Sequence, residues 1–175
     1  MKRYVIALFC LFLLVMQGMA MGWLPSSLVY SNVLITPHWV LVFIFLMAIF
    51  YDRDNTYVAV WFGLVFGLLT DVVYTGVLGV YMVSYALVAY IIHGMNRWLH
   101  STFFGASVLT IVGVALADTS LYIIYSFVQV TDMTWANYAV LRLLPTLAAN
   151  MIFFIILYPL VRARLARWSE ELTNS

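Results

Sequence analysis

Residues 33–55 read VLITPHWVLVFIFLMAIFYDRDN. From Val33 to Tyr51 no formally charged residue occurs, and then Asp52, Arg53 and Asp54 arrive together. An apolar run of this length matches a membrane-spanning helix, which needs about 20 residues to cross the hydrocarbon layer. Working outward, five more runs of the same kind can be marked: Tyr4–Trp23, Thr56–Tyr74, Val80–Met95, Thr102–Val128 and Tyr138–Val161. Six spans take roughly 120 residues, which leaves a chain of 175 residues with short loops only. The connectors carry turn chemistry, as in Pro25-Ser26-Ser27, Asp52-Arg53-Asp54-Asn55 and Thr75-Gly76 with Gly79. Composition agrees: 66% of residues are hydrophobic and 9% charged, against roughly 45–50% and 25% in soluble domains. These values exclude a cytoplasmic globular enzyme and a disordered chain. A single cysteine, Cys10, excludes a disulfide scaffold, and a net charge of +1 points away from nucleic acid. The runs lack the period-two alternation of a transmembrane barrel. The expected fold is all-α: residues 1–175 as a single integral membrane domain, six transmembrane helices in one bundle.

Lys and Arg set the expected orientation. With the N-terminus inside, Lys2, Arg3, Arg53, Arg97, Arg162, Arg164 and Arg167 all fall on the cytoplasmic side, and the outer connectors 24–32, 75–79 and 129–137 contain neither residue type. Both termini are therefore expected in the cytoplasm and the protein in the plasma membrane. Lys2-Arg3, an apolar run and Gly18-Met19-Ala20 also fit a secretory signal. Trp23 continues the run as an interface aromatic would, so the first span is read as retained.

Ionisable residues within spans are costly, about 2.5–3.5 kcal/mol each on insertion scales, and need a reason. Here they are Asp71, Asp118 and Arg142, with Asn150 as a neutral companion. Counting rise along each run puts Asp71 and Arg142 about 6 Å below the outer surface, and Asp118 and Asn150 about 15–18 Å below it. Depth thus predicts Asp71 paired with Arg142, and Asp118 with Asn150. Arg142, Thr146 and Asn150 recur every fourth residue and form one inward polar stripe. A buried cluster that fixes helix packing is favoured over an ion path, because no broken helices recur in two related halves. Gly63-x-x-x-Gly67 and Gly113-x-x-x-Ala117 permit close helix approach, either within the bundle or as a seam for a partner's helix. His38, His93 and His100 are scattered over both sides and do not form a metal set. No nucleophile–base, HExxH or phosphate-loop pattern occurs, so no catalytic, cofactor or metal residues are assigned. Arg162, Arg164 and Arg167 form a basic collar suited to anionic headgroups.

The order of motifs goes further. Pro37-His38-Trp39-Val40-Leu41 opens the second span and Gly63-Leu-Val-Phe-Gly67-Leu-Leu-Thr-Asp71 closes the third. Tyr74-Thr-Gly-Val-Leu-Gly79-Val-Tyr-Met82 turns into the fourth, and Arg142-Leu-Leu-Pro145-Thr-x-x-x-Asn150 runs into Tyr158-Pro159 in the sixth. This succession resembles the rod shape-determining MreD family, in wording closest to members from Bacillus-type bacteria. The resemblance implies a non-enzymatic membrane scaffold or regulator of lateral peptidoglycan synthesis. Its implied partners are the bitopic protein MreC, and with it MreB, RodZ, RodA and the penicillin-binding protein that works with RodA. The family is also similar in fold to substrate-binding subunits of energy-coupling-factor transporters, which makes a small-molecule-binding transporter subunit the alternative. Those subunits often carry Ala-x-x-x-Ala on the first helix, and none occurs between Met1 and Trp23.

Overall fold

The computed structural model describes residues 2–23, 33–53, 55–98 and 102–171. Among them are six helices and no strand. Helix α1 is Lys2–Met19, followed by a 3₁₀ turn at Ala20–Trp23. Helices α2 (Trp39–Phe50), α3 (Val58–Tyr74), α4 (Val80–Met95) and α5 (Phe103–Phe127) follow. The last, α6, runs over Trp135–Glu171 with a π turn at Ala139–Leu143. The Pro25-Ser26-Ser27 connector, Asp54 and His100 lie outside the described residues.

Helix α2 is the axis of the bundle. All ten residues from Val40 to Ile49 are buried, and each of the other five helices packs on it. A helix that is apolar on every side has no face to present to water, and here protein surrounds it. It is also short. Its 12 residues span about 18 Å, well under a hydrocarbon thickness of ~30 Å. The expected span Val33–Tyr51 is corrected accordingly: residues 33–38 are not helical. Pro37 explains the break, since it lacks an N–H and biases Thr36 toward extended backbone.

Other boundaries differ less. Helix α4 matches its expected run, while α3 and α5 each start within two residues of theirs. Helix α6 begins three residues before Tyr138 and continues ten past Val161. Its added C-terminal turns carry the basic collar, where Ala, Leu, Arg and Glu are all good helix formers.

Both small-residue motifs are spent inside the bundle. A Cβ on Gly67 would lie 2.6 Å from the Tyr81 carbonyl oxygen, and one on Gly63 would lie 3.0 Å from that of Tyr85. The backbones of α3 and α4 therefore touch. A Cβ on Gly113 would lie 2.5 Å from the Phe45 ring, and Ala117 is fully buried. The reading of Gly63 and Gly67 as a free seam for a partner is corrected: α4 occupies it.

Polarity is distributed inside out. His38, Asp71, Asp118, Thr146 and Asn150 are 0% exposed, whereas Leu8, Trp61, Phe104, Ile152 and Leu160 are each at least 62% exposed. Every helix but the central α2 turns large apolar side chains outward.

Candidate functional site

The non-helical stretch before α2 enters the bundle with backbone groups that need partners. The Leu34 N–H donates to the Leu141 carbonyl in the π turn of α6 at 2.8 Å. Thr36 N–H donates to Thr146 Oγ1 at 3.1 Å, and Asn150 Nδ2 donates to the Thr36 carbonyl at 3.0 Å. The first turn of α2 is capped by side chains from elsewhere: His38 N–H donates to Asn150 Oδ1 at 2.7 Å and Val40 N–H to Gln17 Oε1 of α1 at 3.3 Å. Asn150 thus serves backbone, at one helix start, with both ends of its amide. Irregular backbone away from water is stable only when the protein supplies such partners. The pairing of Asn150 with Asp118 expected from depth is corrected by these contacts.

Next to this entry lies an ionic centre. Arg142, in the π turn, donates to Asp118 Oδ1 from Nε at 3.2 Å and from Nη2 at 3.1 Å. His38 Nε2 stands 3.5 Å from the same oxygen, and its Nδ1 is 3.0 Å from the Tyr85 hydroxyl. Arg142 is hydrogen-bonded to Asp118 and His38 to Tyr85, while His38 Nε2, which has no hydrogen-bond partner among the described residues, faces the carboxylate between the two pairs. Asp118 Oδ2 is buried and has no hydrogen-bond partner among the described residues. The Arg142 side chain is 16% exposed, so the centre reaches the surface on that side.

The expected pairing of Asp71 with Arg142 is corrected too. Asp71 accepts from the N–H groups of Gly79 (2.9 Å), Tyr81 (2.9 Å) and Met82 (3.1 Å), the start of α4. A carboxylate set against a helix N-terminus meets orphan donors and the positive end of the dipole. The turn between them needs Gly79, whose φ of +94° is strained for any residue with a Cβ.

Sequence reading joined α5 to α6 correctly, placed Asp71 against the wrong helix, and missed His38, Tyr85 and Gln17. Thr36-Pro37-His38 was the available signal, because a proline inside an apolar run exposes backbone that polar side chains must serve. Asp118 and His38 alone are too few for a metal, and no group of three or more His, Cys, Asp or Glu converges among the described residues.

The sequence as a whole matches the model of one family, the rod shape-determining protein MreD, over residues 2–167. The chain belongs to the MreD family. A curated relative, the rod shape-determining protein MreD of Bacillus subtilis (strain 168), is 23% identical over 157 residues, 90% of either chain. No solved structure matches. Within this MreD-family chain the matched region contains both carboxylate centres and all six helices up to Arg167. Membership supports a role in determining cell shape, in a family of membrane proteins, and favours that over the transporter alternative.

Proposed function

We propose that this MreD-family protein crosses the plasma membrane six times with both termini in the cytoplasm. There it acts as a non-enzymatic scaffold of the assembly that builds the lateral wall. Its direct partner is the single membrane anchor of MreC; MreB, RodZ, RodA and its penicillin-binding protein belong to the same assembly. The observation that carries this reading is the inverted polarity: charged and amide side chains at 0% exposure inside, and large apolar ones outside. Such a surface is stable against lipid and prone to association in water. Apart from Arg142, all Lys and Arg residues fall in one set of connectors and the two terminal segments, which supports this orientation.

With α3 and α4 in backbone contact, the MreC anchor must dock on an exterior face. The lipid-side ridge Trp61, Val65, Leu68 and Val72 of α3 is the first to test. Helices in lipid associate through packing and polar contacts rather than hydrophobic burial. Photocrosslinkers placed along that ridge should capture MreC in cells, and a pull-down in mild detergent should recover MreC and RodA. Recovery of an ATPase pair instead would support the transporter alternative. Orientation is tested separately: cysteines in the 75–79 or 129–137 connectors should react with an impermeant thiol reagent outside cells, and cysteine at Asn55 should not.

A further inference from the structure

At the end of the bundle that holds the α2–α3 connector lies a polar pocket of about 520 Å³, remote from the Asp118 centre. Asp52, Arg53, Thr56, His93, Asn96 and Arg97 line it, with no apolar side chain among its lining residues. Its acidic member is already engaged: the Asp52 carboxylate accepts from Val58 N–H at 3.1 Å and Ala59 N–H at 2.8 Å, capping α3. Two of the lining side chains carry unpaired polar atoms. His93 is 6% exposed, yet neither of its ring nitrogens has a hydrogen-bond partner among the described residues. Asn96 is oriented by Nδ2 donating to the Ile49 carbonyl at 3.1 Å, which leaves its buried Oδ1 without a partner. Arg53 donates from Nη2 to the Ser169 carbonyl at 3.0 Å, fixing its guanidinium against the end of α6.

A buried imidazole with neither nitrogen paired costs free energy unless something binds it. Arg53 and Arg97 line the same pocket, and a guanidinium, with five donors, keeps planar, multiple-donor recognition of an oxyanion open after one bond is made. The orphan Asn96 oxygen calls for a hydroxyl or amine on the same molecule. We infer that this pocket binds a phosphate group bearing a neighbouring hydroxyl, with Arg53, Arg97 and His93 on the phosphate oxygens and Asn96 Oδ1 accepting from the hydroxyl. An anionic lipid headgroup of the glycerol phosphate type and a soluble phosphate ester both have this chemistry. The inference does not depend on MreC or on the number of membrane crossings.

The test uses the full chain. In phosphatidylcholine nanodiscs with and without phosphatidylglycerol, retained lipid is counted by native mass spectrometry. In detergent, glycerol phosphate is titrated while imidazole nitrogen shifts of His93 are followed by NMR. Arg53→Gln and Arg97→Gln should each weaken binding about tenfold, the loss of one charged hydrogen bond. Arg3→Gln, which removes the same charge at the exposed start of α1, should leave binding unchanged. Phosphatidylglycerol binding alone identifies a lipid headgroup as the source, and binding of glycerol phosphate as well identifies a soluble ester. Retention of no phosphatidylglycerol together with an unmoved His93 signal on glycerol phosphate overturns the inference, as does an equal loss in Arg3→Gln.

Discussion

Asp71 and Asp118 are the same residue at the same burial, 0% exposed, and the protein satisfies them in opposite ways. Asp71 is held by three backbone N–H groups that lie 8, 10 and 11 residues downstream. Asp118 is held by a side chain, Arg142, 24 residues away, with His38 from the entry to α2 standing 3.5 Å off. Backbone donors cannot leave or change charge, so the Asp71 centre is a fixed joint between α3 and α4. The Asp118 centre contains an imidazole and a partly exposed guanidinium, with one carboxylate oxygen lacking a partner. It ties the non-helical entry of α2 to α5 and α6 through side chains, whose contacts a change of rotamer can rearrange. Buried carboxylates in a membrane bundle therefore need not imply transport; what they are paired with decides.

The largest effect is expected at the side-chain centre. Asp118→Ala leaves the Arg142 guanidinium, 16% exposed, without its carboxylate and should cost about 3 kcal/mol, the lower end for a buried pair, read as a lower unfolding temperature in detergent. Asp71→Ala removes charge-assisted bonds from the start of α4 and should cost about 1.5–3 kcal/mol; an effect larger than that of Asp118→Ala would reverse the ranking of the two joints. Gly67→Ala places a methyl against the Tyr81 carbonyl at 2.6 Å and should cost about 1–3 kcal/mol by overpacking. Gly63→Ala, at 3.0 Å, should cost less. If the glycine contact sets the reach of Asp71, Gly67→Ala and Asp71→Ala will combine less than additively.

The smallest effect is expected at Asp52, which repeats the Asp71 device at a wetter end. Its loss as an α3 cap should cost about 0.5–2 kcal/mol on Asp52→Ala. Burial pushes the Asp52 carboxyl above its ordinary value of 3.8, against the lowering effect of the Ala59 and Val58 N–H groups. With the folded-state value raised, its contribution is fully present below 3.8 and declines as pH rises through the folded value. Asp52→Asn should remove that decline, seen by comparing unfolding temperatures across mildly acidic pH. A decline in the opposite direction would mean that the cap, not burial, dominates.

Much of this was legible in the sequence. The run from Val80 to Met95 matches α4 end to end, because Gly79 and Asn96 frame an uninterrupted apolar stretch. The identity of the buried polar residues was also legible, since a charge within an apolar run has few places to go. Their pairing was not. Depth arithmetic started α6 at Tyr138, whereas it starts at Trp135, which moves Arg142 to about 10 Å below the helix start and within side-chain reach of Asp118 at about 14 Å. Asp71 lies so near the end of α3 that the next helix start supplies its partners, which a search for opposite charges overlooks. His38 was set aside as one of three scattered histidines, although only tertiary structure brings it to Asp118.

Asp118, and not Asp71, is the partner of Arg142. A double-mutant cycle measures this directly, using Asp118→Ala with Arg142→Ala and, as reference, Asp71→Ala with Arg142→Ala, all read by unfolding in the same detergent. Contacting residues show interaction energies of about 0.5–3 kcal/mol, and distant ones add to within about 0.5 kcal/mol. The structure predicts strong coupling in the first cycle and additivity in the second. Additivity for Asp118 with Arg142 and coupling for Asp71 with Arg142 would contradict it.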